Sequence, residues 1–382
     1  MFIREMSLAE FKEFANTHFI GNFHESINYA LIKAEEGFEY EFIAYGADDI
    51  VGAALILYKK IGSVYFGYSP RGFLIDYSND YLLEDFTNKI KEYYKNRNFA
   101  FIKINPEIAI AKLNKDTMNF EYNENYKIID MLTKNGYKKL KNNMNFESLL
   151  PRVNAIIKLD GYDYNNLSKN TRNKVKKGIR KGLILEKANP DKLNIFYKFI
   201  KNKINRDEYY YNDFYNVFSK TLDVDLMLVK VDYKAFLINA QEAYNEELRR
   251  NASFNNKLIT NNNANAINAK MNSDKALLSY KNDIAEASKN LNTGLETYVA
   301  GALVIKHQNR VIIQISGFNK AMSRFSPNYF LYYALIKYYQ QEYKYLDLNG
   351  ITADLSKENH YYGLNRFKMG FNPDVYEYIG EF

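Results

Sequence analysis

The segment from residue 233 to residue 295 constrains the fold of this chain more than any other. It contains no proline, its only glycine is Gly294, and apolar residues recur at heptad spacing on both sides of an asparagine-rich break at 261–265. The apolar columns hold Leu237, Tyr244, Leu258, Ala240 and Phe254 before the break, and Leu277, Ile284, Leu291, Tyr280 and Ala287 after it. This pattern predicts an antiparallel helical hairpin with arms about 35 to 40 Å long.

Strand patterns flank the hairpin on both sides. An apolar run at 225–231 precedes it, and two further runs at 299–306 and 311–316 follow it directly. Because the strand pattern resumes after the hairpin, we expect the hairpin to be an insertion and not a separate C-terminal domain.

The rest of the chain alternates strands and helices. The N-terminal half predicts strands at 42–44 and 52–57 around a turn at 47–49, a strand at 63–68, a helix at 80–95 and a strand at 99–104. The C-terminal half predicts strands at 155–159, 345–349 and 375–379, with helices from Ser168, over 192–205 and from Ser326-Pro327, where Ser326 is the expected N-cap. The predicted fold class is mixed α/β (α+β), divided into residues 1–150, residues 151–232 with 296–382, and the insertion 233–295.

The residue types exclude several kinds of chemistry. The chain has no cysteine, which excludes disulfides, thiolate nucleophiles and cysteine-based zinc sites. Its 4 histidines show no ligand spacing, so we expect no metal, and no Gly-x-Ser-x-Gly elbow supports a serine triad. A net charge of +7 favours an anionic partner: nucleic acid, a nucleotide-sugar pyrophosphate or an acidic membrane surface. Neither a signal peptide nor a membrane-spanning run is evident, which predicts a cytoplasmic protein.

A cluster of positive charge follows Ser168. Residues 169–181 include 7 basic side chains and no acidic one. Four of the basic residues share one helical stripe: Lys169, Arg172, Lys176 and Arg180. A separate stripe for docking against the core consists of Thr171, Val175 and Ile179. A solvated face explains any single lysine here. Like charges at this spacing repel by about a few tenths of a kcal/mol per pair, so the cluster as a whole predicts an anion-binding surface.

Motifs near the two ends complete the pattern. Tyr68-Ser69-Pro70-Arg71-Gly72 lies near the N-terminus, and the segment 363–371 places Phe367 and Lys368 before a Met-Gly-Phe turn. Together with the basic helix and the hairpin, this ordered set resembles the FemABX family of peptidyltransferases, which use aminoacyl-tRNA to build the peptide bridges of bacterial cell walls. The resemblance implies two acetyltransferase-like (GNAT-like) subdomains in one composite domain, with the hairpin as the coiled-coil arm that some members carry.

The resemblance also implies the participants in the reaction. Aminoacyl-tRNA is the co-substrate, no cofactor is needed, and the acceptor is the stem-peptide amine of UDP-MurNAc-pentapeptide or of lipid II. The implied location is the cytoplasm, with peripheral contact at the inner face of the plasma membrane. The amino acid, the position in the bridge and the oligomeric state are left open by the resemblance.

Two residues match the family's catalytic positions. Lys368 matches a lysine that stabilises the tetrahedral oxyanion formed when the acceptor amine attacks the aminoacyl ester. Phe367 matches a residue that presents main-chain groups to the reacting centre. Without the surrounding glycine and phenylalanine pattern, a lysine near a C-terminal turn is more simply a surface residue.

Four further residues match substrate-binding positions. Arg172 and Lys176 lie in the segment that binds the precursor diphosphate, a task that suits the bidentate arginine fork. Lys33 follows the opening motif Asn22-Phe23-His24-Glu25-Ser26 and matches a precursor-binding lysine, and Tyr215 matches a substrate-contacting tyrosine. Taken alone, Lys33 is an exposed helix lysine, and Tyr215 is one core residue among 35 tyrosines.

The chain departs from the family pattern in two places. His24 stands where glutamine is usual, and Asn105 stands where the family strand commonly ends in aspartate. Because Asn105 cannot accept a proton, the chain either uses another carboxylate, such as Glu107, or needs no protein base.

Two other functions are compatible with the predicted fold. One is an acyl-CoA-dependent N-acyltransferase, although the loop 317–325 lacks the Gly-x-Gly/Ala turn that would hold a pyrophosphate. The other is a non-catalytic scaffold that binds tRNA or another partner through the hairpin, against which the presence of Lys368 and Arg172 argues.

Overall fold

The structure, a computed structural model, describes residues 1–203, 205–260 and 263–382. Helices in this part of the chain are α1 (Leu8–Thr17), α2 (Ile27–Glu35), α3 (Asp80–Lys95), α4 (Ile128–Lys134), α5 (Lys169–Arg180), α6 (Leu193–Ile200), α7 (Glu208–Ser219), α8 (Tyr233–Thr260), α9 (Ala264–Thr293), α10 (Pro327–Tyr339) and α11 (Tyr362–Met369). Strands are β1 (Phe2–Glu5), β2 (Glu39–Gly46), β3 (Ile50–Ile61), β4 (Val64–Ser69), β5 (Phe99–Ile104), β6 (Ala109–Asn114), β7 (Asn119–Tyr122), β8 (Val153–Lys158), β9 (Leu183–Ala188), β10 (Val224–Val231), β11 (Tyr298–His307), β12 (Arg310–Phe318), β13 (Tyr345–Ile351) and β14 (Asp374–Tyr378).

The described strands form two sheets. The first has the order β1-β2-β3-β4-β5, with the predicted β2–β3 hairpin at 47–49. Its last pair, β4 and β5, is parallel because α3 carries the chain back to the start of the sheet. The predicted strand-helix-strand unit of the N-terminal half is therefore confirmed.

The second sheet has the order β7-β6-β14-β8-β13-β12-β11-β10-β9 within the described residues. Strands β10 and β11 are antiparallel neighbours although α8 and α9 lie between them in sequence, which confirms that the hairpin is inserted between adjacent strands. Strands β6 and β7 come before residue 150 yet pair into this sheet through β14. Sheet membership therefore differs from the predicted boundary at residue 150, and the domain boundaries stay a prediction.

One apolar cluster joins the two halves of the molecule. It contains buried residues from both sheets and their helices: Phe11, Phe42 and Leu55 with Phe196, Phe214 and Leu226. Because this cluster has members from both halves, neither half buries its apolar surface alone.

The base of the hairpin belongs to the core. Phe236, Ala240 and Ala287 are buried in the cluster that fills the second half. Farther out, buried Asn251 donates a 3.0 Å hydrogen bond to the Ser273 hydroxyl, so α8 and α9 meet through polar as well as apolar side chains. The heptad columns thus account for only part of the packing, and residues 261 and 262 of the predicted break lie outside the described residues.

Three local predictions need correction. The helix expected at 192–205 ends at Ile200, and residue 204 lies outside the described residues. Ser326 adopts left-handed backbone angles (φ 55°, ψ 44°) and makes no side-chain cap, although Pro327 begins α10 as expected. Ile179, predicted to dock α5, is 46% exposed, and Gly178 packs against Phe330 in its place.

Candidate functional site

Lys368 lies on the inner face of α11, with 6% of its surface exposed. Its Nζ donates a hydrogen bond of 2.6 Å to the carbonyl oxygen of Gly350 in β13. At the end of α11, the carbonyl of Gly370 accepts a 2.9 Å hydrogen bond from the backbone of Ser168, and a Cβ at Gly370 would collide with Thr171. The helix that carries Lys368 is therefore fixed between β13 and the start of α5.

The surroundings of Lys368 change its protonation. Burial lowers the pKa of Lys368 to about 7, the carboxylate of Asp347 opposes this effect, and the charge of Lys203 adds to it. A lysine with this pKa is present both as ammonium and as amine near neutral pH, and it can change state during a reaction.

Phe367 is held by an aromatic cluster beside Lys368. Its ring centroid lies 4.8 Å from that of Tyr332, 5.0 Å from that of Tyr329 and 5.3 Å from that of Phe371, each at a steep angle. The hydroxyl of Tyr332 is 3.1 Å from that of Ser316 on β12. These contacts fix the backbone at residues 367 and 368 relative to the second sheet.

A buried charged network lies where the two sheets meet. Glu107, just beyond β5, forms an ion pair with Arg310 of β12 and lies 4.0 Å from the Nε of Arg71. Arg310 is also 3.8 Å from Asp347. Tyr378 donates a 3.2 Å hydrogen bond to Glu107. The network thus ties the loops after β4 and β5 to strands β12, β13 and β14.

Two carboxylates of this network have opposite pKa shifts. Burial alone would raise the pKa of Glu107, but the charges of Arg310 and Arg71 outweigh it and hold that pKa below its usual range. Burial raises the pKa of Asp347, and the charge of Arg310 only partly opposes it. Asp347 is consequently the better proton acceptor of the two near neutral pH.

A cavity of about 160 Å³ opens beside this network, and we call it the crevice. Residues of both halves line it: Asn22, Phe23, His24, Arg71, Leu150, Pro151, Asn154, Ile312, Gln314, Asp347 and Asn349. Asn349 and Gly350 are adjacent in β13, so the carbonyl that holds Lys368 lies next to the lining of the crevice. Burial lowers the pKa of His24, helped by Arg71 and Lys33, so its ring is neutral at this wall.

The hydrogen bonds of Asn105 indicate a structural role and not a role in proton transfer. Its Oδ1 accepts a 2.9 Å hydrogen bond from the backbone of Arg71 and one of 3.2 Å from the Tyr68 hydroxyl. Asn105 therefore shapes the loop that presents Arg71, whose φ of 60° is unusual for a non-glycine residue.

Lys33 belongs to a second group of charges. Its Nζ lies 3.0 Å from the carboxylate of Glu36, which Arg206 also contacts at 2.9 Å, while Lys59 donates a 2.9 Å hydrogen bond to the Glu36 carbonyl. Two cations thus contact the Glu36 carboxylate and a third contacts the main-chain carbonyl of the same residue, which leaves a net positive charge.

The positive group is linked to the crevice along β12. Arg206, Tyr210, Tyr211 and Gln314 help line a small cavity of about 100 Å³. Gln314 also lines the crevice, so the two cavities share a wall. This places Lys33 and Arg206 at one end of a line of polar side chains that leads towards Asp347.

Arg172 and Lys176 lie elsewhere, on the outer face of α5. Arg172 donates a 3.2 Å hydrogen bond to the carbonyl of Asn165, and Lys176 is exposed. The end of α5 meets the hairpin, where Arg180 contacts the Tyr280 hydroxyl at 3.2 Å and Lys181 pairs with Asp283. The basic face of α5 is therefore continuous with the base of α9. Lys33 is not part of this face, because it lies on α2, which packs against the first sheet.

Tyr215 is half-buried on α7. Burial and the nearby carboxylate of Asp225 raise its pKa, with Lys187 opposing. Asp225 is bound by Lys187 at 2.7 Å, Lys306 at 3.1 Å and the Tyr339 hydroxyl at 2.8 Å. The substrate contact expected for Tyr215 stays a prediction.

Two features are absent from the described part of the chain. Across 1–203, 205–260 and 263–382, no group of three or more His, Cys, Asp or Glu side chains is arranged to hold a metal ion. In the same ranges, none of the helices has both the length and the apolar character needed to cross a membrane.

The family pattern described as the FemAB family matches residues 6–382. The chain belongs to the FemAB family. The resemblance on which the sequence analysis relied is thereby confirmed, and the match covers both halves and the hairpin.

The chain is also similar to individual known proteins. The lipid II:glycine glycyltransferases of Staphylococcus aureus, including those of strains COL and N315, are 26% identical over 391 aligned positions, which cover 98% of this chain and 90% of theirs. The crystal structure of FemX superposes with a TM-score of 0.78 at 23% identity and covers 100% of this chain and 96% of that one. The predicted composite fold of two acetyltransferase-like subdomains is confirmed.

Sequence reasoning missed three residues that the fold brings to this candidate site. Arg310 and Asp347 lie in strands where a charged residue looks like an ordinary solvent-facing position, and Arg206 lies in a polar connection between helices. The burial of Asp347 and the partial burial of Arg310 were the missing information, whereas Arg206 is exposed and pairs with Glu36, which is far away in the sequence.

Proposed function

We propose that this chain transfers an amino acid from aminoacyl-tRNA to an amine of a peptidoglycan precursor and so builds the interpeptide bridge. Membership of the FemAB family and the glycyltransferase relatives support the reaction class. The single observation that carries the assignment to this site is the buried Lys368, fixed on the Gly350 carbonyl next to a crevice between the two sheets.

Lys368 is proposed to stabilise charge in the transition state. When the acceptor amine attacks the ester carbonyl, negative charge develops on the carbonyl oxygen, and a cation in a dry site stabilises it more than it stabilises the ground state. One ammonium hydrogen of Lys368 is directed to Gly350, which leaves two donors for the oxyanion. Phe367 is proposed to position the neighbouring backbone through its aromatic contacts.

The acceptor is proposed to lie along β12. Lys33 and Arg206 would bind an anionic group such as the precursor diphosphate, because their net positive charge lies at the far end of the line marked by Gln314. The peptide would then extend to the crevice. A soluble nucleotide-linked precursor and lipid II share this diphosphate chemistry.

Asp347 is proposed to receive or hold the proton of the attacking amine. It lines the crevice, and burial raises its pKa, whereas Glu107 is committed to Arg310 and Arg71. The amide of Asn154 donates a 3.1 Å hydrogen bond to Asp347, and the backbone of Asn349 donates one of 2.7 Å. These contacts orient the carboxylate towards a substrate amine.

The donor tRNA is proposed to contact the basic face of α5. This face carries Arg172 and Lys176, has no acidic residue over 169–181, and adjoins both α11 and the base of the hairpin. A regularly charged phosphate backbone matches a stripe of exposed cations better than a single diphosphate does. The resemblance instead implied that Arg172 and Lys176 bind the precursor diphosphate. An experiment on this face must therefore measure tRNA affinity and precursor affinity separately.

A reconstituted transfer assay tests the proposal. The purified chain is mixed with UDP-MurNAc-pentapeptide or lipid II, charged tRNA and, in parallel, acetyl-CoA without tRNA, and the products are identified by mass spectrometry. We expect the acceptor to gain the mass of one amino acid only with charged tRNA. Acetylation without tRNA would indicate an acyl-CoA transferase, and no product with any donor would leave a binding scaffold.

A further inference from the structure

A large apolar groove lies outside the site described above. It has a volume of about 820 Å³, within the usual range of about 300 to 1,000 Å³ for ligand sites. One wall is β5, the edge strand of the first sheet, with Phe101 55% exposed. The other walls are α3, residues 136–138 and 140, and Phe382, whose backbone exchanges hydrogen bonds of 2.9 and 3.0 Å with Ile104. We call this feature the β5 groove.

The charges of the β5 groove have one sign. Among the described residues its lining includes four lysines and no aspartate or glutamate: Lys91, Lys95, Lys103 and Lys138. Lys91 donates to the Asn135 carbonyl, and Lys103 pairs with Glu381. Lys95 and Lys138 are exposed, and their side chains have no ion-pair or hydrogen-bond partner in the described part of the chain. The groove therefore has an apolar floor with free positive charge at its rim.

We propose that the β5 groove binds a hydrocarbon chain of an anionic membrane lipid and docks the protein on the membrane surface. An apolar floor matches the chain, and the rim lysines match the phosphate at its head. Exposed Phe101 beside the groove would enter the interfacial layer, where aromatic side chains are favoured. The proposal does not depend on the transfer reaction, so either can fail without the other.

Vesicle flotation tests the proposal directly. The full chain is mixed with vesicles of phosphatidylcholine alone or of equal parts phosphatidylcholine and phosphatidylglycerol, without precursor or tRNA. We expect binding to the anionic vesicles that weakens with added salt. The double variant Lys95→Gln with Lys138→Gln should weaken it about 25-fold, at about five-fold per lysine. Lys220→Gln with Lys357→Gln, the same change at exposed lysines outside the groove, should leave it unchanged.

A second variant separates the groove from simple surface charge. Ala100→Asp places a carboxylate in the groove wall at an exposed position, and Ala47→Asp makes the same change in the β2–β3 turn. Of these two variants, we expect only Ala100→Asp to abolish both vesicle binding and binding of dodecyl phosphate. Inorganic phosphate, which has no hydrocarbon chain, should not bind measurably to the wild-type protein or to either variant. Vesicle binding that survives Ala100→Asp would reduce the effect to electrostatics and overturn the groove assignment. No binding to anionic vesicles, or self-association through β5 seen in sedimentation, would also overturn it.

Discussion

The Nζ of Lys368 donates a 2.6 Å hydrogen bond to the carbonyl oxygen of Gly350. Gly350 is in the same strand as Asp347, so one contact joins the buried cation to the strand that carries the crevice carboxylate. A Cβ at Gly350 would lie 2.5 Å from Pro151, which explains why the strand can approach this closely only with glycine there.

Lys368→Met should lower the single-turnover transfer rate by about two to three orders of magnitude, because it removes an oxyanion donor while keeping similar length. Precursor affinity should fall much less. Lys368→Arg should not restore the rate, since a planar guanidinium places its donors differently. Lys357→Met is the matched control at an exposed position, and a Lys368→Met protein that transfers at the wild-type rate would remove Lys368 from catalysis.

The wild-type protein and Lys368→Met should differ in how their free energy of unfolding depends on pH. The pKa of Lys368 is lowered to about 7 in the folded state, and it returns to its ordinary value on unfolding. Between these values the unfolded chain binds more protons, so wild-type stability should rise with pH from about 7 towards about 10. Lys368→Met should lack this rise and be relatively more stable at about pH 6. Urea unfolding at several pH values measures the free energy of unfolding of both proteins. If the two plots of this free energy against pH are parallel, the pKa of Lys368 is not lowered by folding.

Asp347→Asn should shift the pH profile of transfer. The ionised Asp347 carboxylate raises the pKa of Lys368 against the effect of burial, so its removal lowers that pKa further. If transfer needs the Lys368 ammonium, the fall in rate at high pH should begin at a lower pH in the variant. Single-turnover rates across about pH 5 to 9 test this. A variant that is merely slower at every pH would instead indicate that Asp347 acts only as the proton acceptor.

Arg206→Ala should weaken precursor binding, and Arg172→Ala should weaken tRNA binding. A lost phosphate contact in each case makes the effect larger at low salt. Titration of both variants with UDP-MurNAc-pentapeptide and with uncharged tRNA separates them, and Arg172→Ala should reduce the salt slope for tRNA by about 1. If Arg172→Ala loses precursor affinity and keeps tRNA affinity, the diphosphate assignment of α5 is correct.

Shortening the hairpin should be tolerated only at its distal end. Replacing residues 248–276 by a short Gly-Ser link keeps the buried base, whereas removing 233–295 strips Phe236, Ala240 and Ala287 from the core. Phe236→Ala alone should cost about 3 kcal/mol or more of the free energy of unfolding. Calorimetry compares the 248–276 replacement, the 233–295 removal and Phe236→Ala with the wild-type protein. A normal melt after full removal would show that the base contributes no stability.

The sequence by itself determined the fold class and the inserted hairpin, and it predicted that the segment around Lys368 is catalytic. Periodic apolar residues decide local structure because helix and strand faces repeat at fixed spacing, and the Phe-Lys-Met-Gly-Phe context is local as well. Membership of the FemAB family was therefore within reach of motifs alone.

Only the tertiary structure decided how the charges are grouped. Sequence reasoning placed Lys33 with Arg172, whereas the fold places Lys33 with Arg206 around Glu36 and holds the half-buried Arg310 between Glu107 and Asp347. Which charges lose water and which partners they gain depends on strand order and helix packing across hundreds of residues. That long-range arrangement sets the pKa of Lys368, and no periodicity in the sequence encodes it.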